Sequence, residues 1–363
     1  MKHGGVERFL REKIEGGIFP GARYLIARGE TLLQEGWLGH SVVTPEERPV
    51  GPDTIYDLAS LTKPLVTGTL AALMSSRGAL DLEEPVEGLL PELAGRWIGR
   101  ATLLDLLAHR SGLPAWQPLY LRASDREGYL SQIGALPPDY RPRTRVVYSC
   151  LGYILLALGL ERRAGASLAA LAAREVFGPL GLQDTGYRPA PRLRPRVAAT
   201  EEGNAREREL IGESSGDFRG WNRGLIWGEC HDLNAWTLGG VSGNAGLFSS
   251  AGDLHRLSSE FLGRGTGLFN AACHELFRRD LTPGLNENRS VGWQLAATPG
   301  ASAGPFLSSG ALGHTGFTGT SLWIDPAGER IFILLTNRVH PKYRPDDMNA
   351  VRREFHRLAL QEP

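Results

Sequence analysis

The stretch SLTKPLVTGTLAALMSSRG, residues 60–78, decides how this chain is read. Its run of apolar and small residues predicts a helix over 60–77, with Gly78 as the C-terminal stop. Pro64 fits the first turn, where backbone N–H groups have no intrahelical partner. A serine hydroxyl is a poor nucleophile at neutral pH and needs a neighbouring base. On a helix, residue i+3 shares the face of residue i, so Lys63 stands beside the Ser60 hydroxyl. A lysine held in a dry, electropositive pocket can lose its proton and serve as that base. With 4 lysines and 21 serines in 363 residues, chance supplies one Ser-x-x-Lys in roughly a quarter of such chains. The tetrad therefore needs companions, and two lie far downstream: Tyr148-Ser149-Cys150 and His314-Thr315-Gly316.

Outward from the tetrad, residues 6–16 have helical spacing. The apolar runs 21–28 and 31–39, separated by Gly29-Glu30, predict a β-hairpin. Residues 54–58 read as a short strand. From 79 to 280 the pattern is mainly helical and loop-rich, with helices over 102–108, 151–164, 167–177 and 251–262. Residues 186–235 carry Pro, Gly, Arg and Trp without a clear period, as functional rims or lids do. Segments 292–297, 320–324 and 330–336 predict strands, with a turn at Asp325-Pro326-Ala327-Gly328, and 348–360 a closing helix. Strands at both ends with helices between them predict one sheet built from both termini. The expected division is a discontinuous α/β sheet domain, 1–78 and 285–363, around a mainly helical inserted domain, 79–284, with an irregular active-site rim.

A chain of 363 residues, 42% hydrophobic and 22% charged, is an ordinary globular composition too long for one small core. Lys plus Arg and Asp plus Glu number 40 each, so no net field favours nucleic acid or a membrane surface. Three cysteines (Cys150, Cys230 and Cys273) without a C-x-x-C argue against a disulfide framework and a zinc ribbon, and fit a reducing compartment. Residues 1–15 lack the apolar core of a signal peptide and no apolar run approaches the about 18 residues of a membrane span. A cytoplasmic location is expected. His231-Asp232 and Asn234 invite a metal reading, but no second ligand cluster stands at a suitable spacing, and loop hydrogen bonding is preferred. Neither a metal nor another cofactor is expected. Trp221, Trp227 and Trp236 either wall an acyl pocket or pack in the core. His109 is read as a structural residue bonding the Ser111-Gly112 turn.

Ser60-Leu61-Thr62-Lys63, Tyr148-Ser149-Cys150 and His314-Thr315-Gly316 resemble the three motifs of the penicillin-recognising serine hydrolases. Within that family the chain is similar to the class C β-lactamase-related group of esterases, DD-peptidases and β-lactamases. The stretches LLAHRSGL (106–113), FGPLGL (177–182) and GNAGLFS (243–249) carry the resemblance further, from about residue 10 to 340. It implies a β-lactamase/transpeptidase-like α/β (α+β) fold, an antiparallel sheet flanked by helices plus a mostly helical insertion, with the site in the groove between them. It implies Ser60 as nucleophile and Lys63 and Tyr148 as the groups that manage protons. Which of these two takes the serine proton stays open. It also implies an oxyanion hole from the Ser60 and Phe317 N–H groups, and places Thr315 and Gly316 on a strand beside the substrate.

The chain departs from the family pattern twice. Cys150 stands where asparagine is common, and a thiol cannot supply the paired hydrogen bond that an amide gives a substrate amide. His314 stands where lysine is common; a fixed positive charge is lost, and the histidine charge depends on pH. Both departures favour simple esters. The expectation is a carboxylesterase acting through an acyl-enzyme on small esters. The alternative is a β-lactamase or DD-carboxypeptidase with a β-lactam or peptide substrate, against which Cys150, His314 and the missing signal peptide count. A non-catalytic binder of cell-wall fragments is the third reading, disfavoured by the complete Ser60, Lys63 and Tyr148 set.

Overall fold

The computed structural model describes residues 4–216 and 218–361. The outermost residues of the two terminal segments assigned to the sheet domain, 1–3 and 362–363, and Asp217 in the irregular stretch, lie outside the described residues.

The strands are β1 (Gly21–Arg28), β2 (Thr31–Val42), β3 (Arg48–Pro49), β4 (Tyr56–Asp57), β5 (Gly186–Tyr187), β6 (Leu247–Ser249), β7 (Gln294–Leu295), β8 (Leu312–Thr315), β9 (Ser321–Asp325) and β10 (Arg330–Thr336). Seven of them form one sheet in the order β3-β2-β1-β10-β9-β8-β7, and β4-β6-β5 form a small second sheet. β1 runs antiparallel to β10 from Ala22 opposite Thr336 to Arg28 opposite Arg330, which joins the two ends of the chain. The sheet expected from both termini is therefore present.

Both faces of this sheet are covered, so its central strands are apolar throughout instead of alternating. Tyr24, Ile26, Phe332 and Leu334 point to a layer with Val6, Leu10 and Phe355, from the terminal helices Gly5–Glu15 and Met348–Ala359. Leu25, Ala27, Ile331, Ile333 and Leu335 point the other way, into the large core with Leu70 and Leu254 from the helices Thr69–Ser76 and Ala251–Leu262. Phe355 is fully buried; truncation of such a ring costs about 3–5 kcal/mol.

Three local expectations change. The helix expected over 60–77 is not uniform. It opens with a 3₁₀ turn, Ala59–Leu61, widens into a π-helical stretch, Lys63–Gly68, and only then becomes the α-helix Thr69–Ser76. Pro64 brings no N–H, and its carbonyl accepts the Thr69 hydroxyl at 2.8 Å. The strand expected over 292–297 shrinks to Gln294–Leu295, because Gly292 adopts a left-handed backbone (φ +81°) where an added Cβ would lie 2.9 Å from Pro64 Cα. The irregular stretch 186–235 holds helices Ala205–Ile211 and Leu233–Thr237. The first of these supplies Arg206, Glu207 and Leu210 to the main cavity.

Candidate active site

Ser60 sits directly after a strained residue. Ala59 has φ +47°, a left-handed conformation that costs an L-residue about 1–2 kcal/mol. Its N–H donates to the Asp57 carboxylate at 2.8 Å, and the other Asp57 oxygen accepts the His231 N–H at 2.8 Å. The Thr62 hydroxyl caps the Ala59 carbonyl at 2.6 Å and accepts the Leu247 N–H at 3.1 Å. The turn is thus tied to β4, β6 and the 231 loop together. Across the groove, the hydroxyls of Thr318 and Thr320 donate to the Asp57 and Leu58 carbonyls. Gly316 has no room for a side chain: an added Cβ would stand 2.1 Å from Thr320 Oγ1 and 2.5 Å from the Leu58 carbonyl. The packing of the Ala59-Ser60 turn against the strand end accounts for this glycine.

Lys63 is fully buried. Its Nζ lies 3.1 Å from Ser60 Oγ, 3.4 Å from Cys150 Sγ and 2.9 Å from the Asn244 carbonyl oxygen. Three acceptors match the three N–H bonds of an ammonium. Burial pulls the Lys63 pKa down, but Cys150 and Tyr148 beside it outweigh burial, and the net direction is up. Burial pushes the Tyr148 phenol and the Cys150 thiol up as well, with Lys63 opposing in both cases. The three acceptors around Nζ are those of an ammonium, so Lys63 is held as a cation, and the readily deprotonated lysine expected from the sequence gives way to this.

Tyr148 is presented by a segment clamped on His109. The Val147 N–H donates to the His109 carbonyl at 2.9 Å and the Ser149 N–H to His109 Nδ1 at 2.9 Å. Ser149 then caps the helix Cys150–Ala164 through the Gly152 N–H. His109 therefore holds the Tyr148-Ser149 segment, and the expected bond to the Ser111-Gly112 turn is replaced by this role. The Tyr148 ring packs 4.7 Å from the His109 ring and 5.6 Å from that of His314, with Lys63 Nζ 4.8 Å from its centroid. Its buried hydroxyl makes no close hydrogen bond among the described residues but lies near enough to Lys63 and Ser60 for both to lower its pKa.

His314 Nδ1 lies 2.9 Å from the Thr315 carbonyl oxygen, which can only accept, so Nδ1 carries the proton. Burial, with Arg289 and Lys63 adding to it, holds the imidazole well below its ordinary pKa. His314 is neutral, and the pH-dependent charge expected at this position does not arise. Positive charge comes from elsewhere. Arg338 and Arg352 line the same cavity, and neither forms a salt bridge among the described residues. Arg352 Nη2 donates to the Gly316 and Thr320 carbonyls at 3.2 and 3.0 Å, and burial lowers its pKa to about 9, still a cation at neutral pH.

These groups open into one cavity of about 790 Å³, lined by Ser60, Tyr148, Cys150, His314, Thr315, Gly316 and Phe317. All the site residues named from the sequence except the buried Lys63 reach its wall. Trp116 is the tryptophan on this wall; Trp227 and Trp236 line a separate cavity of about 540 Å³, and Trp221 packs edge-on to Tyr120. His231 pairs with Glu201 at 3.0 Å, and Asn234 ties the loop at Leu119 and Gln117. Among the described residues no group of three or more His, Cys, Asp or Glu side chains could hold a metal. Sequence reading missed Asn244, Glu207, Arg289, Arg338 and Arg352. Asn244 lies in the 243–249 stretch already singled out, but the arginines are hidden among 36 in the chain.

The chain matches the Beta-lactamase family model over residues 6–355. It is 31% identical to an N-acetylmuramyl-L-alanine amidase of Bacillus subtilis, an alignment covering 94% of this chain and 82% of that protein. It is 31% identical to a putative D-alanyl-D-alanine carboxypeptidase of Escherichia coli K12, over 92% of this chain and 82% of that protein. Among solved structures it superposes on EstCE1, a hydrolase with promiscuous acyltransferase activity, with TM-score 0.75 at 20% identity over 97% of both chains. A beta-lactamase/D-alanine carboxypeptidase from Pseudomonas syringae gives TM-score 0.75 at 19% identity, over 98% of this chain and 97% of that one. With Ser60 and Tyr148 on the wall of one cavity and Lys63 buried beside Ser60, this chain belongs to the beta-lactamase family of serine hydrolases.

Proposed function

We propose that the protein hydrolyses an amide bond in a carboxylate-bearing, cell-wall-type peptide through an acyl-enzyme on Ser60. The observation that carries this reading is the pair of unpaired guanidiniums, Arg338 and Arg352, on the wall of the cavity into which Ser60 opens. The case for simple esters rested partly on the loss of a fixed charge at His314, and these arginines supply one. Both relatives near 31% identity are named for amide bonds of cell-wall peptides.

In this reading Ser60 Oγ attacks the carbonyl carbon, and the Ser60 and Phe317 N–H groups receive the developing oxyanion. Tyr148 relays the proton: its phenol oxygen takes the serine proton as its own O–H proton passes to the leaving amine, so the tyrosine ends with the proton count it began with, and Lys63 stays an ammonium throughout. Lys63 holds the negative charge that builds on the phenol oxygen during the relay and keeps Ser60 Oγ oriented. Water then releases the acyl group by the reverse proton path.

A small ester remains the second reading, favoured by one observation: Cys150, at 3.4 Å from Lys63 Nζ, puts a thiol where a substrate-binding amide is expected. The test is mass spectrometry of wild type and Ser60→Ala with a muramyl tripeptide, a penicillin and p-nitrophenyl acetate. Ser60-dependent cleavage of the muramyl peptide supports the amide reading. Ester turnover with an intact peptide moves the assignment to a carboxylesterase, and fast penicillin turnover to a β-lactamase.

A further inference from the structure

Acidic side chains line the same cavity. Glu207, on the helix Ala205–Ile211, lines the cavity beside Asp232 and His231. Its residue is only 8% exposed. One carboxylate oxygen accepts the Leu233 N–H at 3.2 Å; the Tyr120 hydroxyl lies near enough to lower the carboxyl pKa, while Oε2 makes no close hydrogen bond among the described residues. No arginine or lysine pairs with Glu207 or Asp232 there. His231 is already engaged by Glu201 at 3.0 Å. A buried carboxylate with one oxygen unsatisfied is costly unless something completes it. The described residues offer no third ligand for a metal ion, and the space in front is a substrate cavity.

We propose that Glu207 and Asp232 form a subsite for a primary ammonium group on the substrate, so that the cavity reads a zwitterion: carboxylate at Arg338 and Arg352, ammonium at Glu207 and Asp232. An ammonium brings three N–H donors and a full charge, which would complete Oε2 and the half-buried Asp232 carboxylate, whose Oδ1 already caps the Ala235 N–H at 2.8 Å. The inference deepens the reading of the same site as a hydrolase of charged peptides.

The probes are p-nitrophenyl esters of glycine and of 6-aminohexanoate, each against its N-acetylated form. These activated esters report Ser60 acylation whether or not an amide is the natural substrate. The subsite predicts that wild type prefers at least one free-amine ester over its acetylated form by about tenfold in kcat/KM, the scale of a charge-assisted hydrogen bond. Glu207→Gln and Asp232→Asn should each remove most of that preference, the loss falling on the free-amine ester. Equal turnover of both forms by wild type at both lengths overturns the subsite, and so does a preference that survives both substitutions. If the preference behaves as predicted while the muramyl peptide stays intact, the subsite stands and the amide assignment falls. If the peptide is cleaved without any amine preference, the reverse holds.

Discussion

Two sets of residues on the walls of the cavity carry opposite charge and reach it by different physical routes. On one side Arg338 and Arg352 stay cationic although burial lowers both pKa values, because guanidinium starts so high. On the other, burial raises the Glu207 carboxyl from 4.5 to about 7, with Asp232 adding to the effect. A basic wall can therefore be built from burial and carbonyl contacts alone. An acidic wall built in the same way hovers between neutral and charged until a cation arrives.

The strongest way to break this comparison is to remove what the walls share. Ser60→Ala should lower turnover of every substrate by about 10⁴ or more, with no acyl adduct by mass spectrometry and unchanged thermal unfolding. Tyr148→Phe should cost about 10²–10⁴ in kcat, equally for acidic and amine-bearing substrates; a full-rate variant would remove the phenol from the proton path.

The acidic wall can be weighed by stability. A carboxyl held above its unfolded value contributes stability at low pH that is lost as pH rises through about 4.5 to 7. Glu207→Gln lacks this dependence. Relative to wild type it should gain on the order of 3 kcal/mol between pH 4.5 and pH 8, read by urea denaturation at the two pH values. A parallel pair of curves would mean that Glu207 is not held protonated by its surroundings. The basic wall is sharpened by Arg352→Met, expected to lower kcat/KM about tenfold for a peptide acid relative to the matching peptide amide. The smallest effect belongs to the position between the walls. Cys150→Asn should raise the ratio of amide or β-lactam acylation to ester acylation by a few-fold, on the scale of one neutral hydrogen bond. An unchanged ratio would mean that this position does not read the substrate.

Much of the fold was legible because its signals are local. Apolar runs of strand length at both ends gave β1, β2, β9 and β10, and the turn at residues 325–328 is fastened by the Asp325 carboxylate accepting the Ala327 N–H. Ser60 and Lys63 are neighbours through helical spacing, and their 3.1 Å contact follows from it. Tyr148 and His314 were identified only through motifs, since nothing in their own neighbourhoods says that they meet.

What the sequence determined by itself was the chemistry available: a serine three residues before a lysine, a tyrosine just ahead of a buried helix and a histidine followed by Thr-Gly. Protonation and substrate charge were decided by tertiary structure alone. Lys63 stays an ammonium because Asn244, Cys150 and Tyr148 converge on it from distant segments, and His314 stays neutral because Arg289 and Lys63 adjoin it in a dry site. Glu207, Arg338 and Arg352 look like surface charges in the sequence. They come to line one cavity only when the chain is folded, and charge interactions depend on distance and burial, which no local pattern encodes.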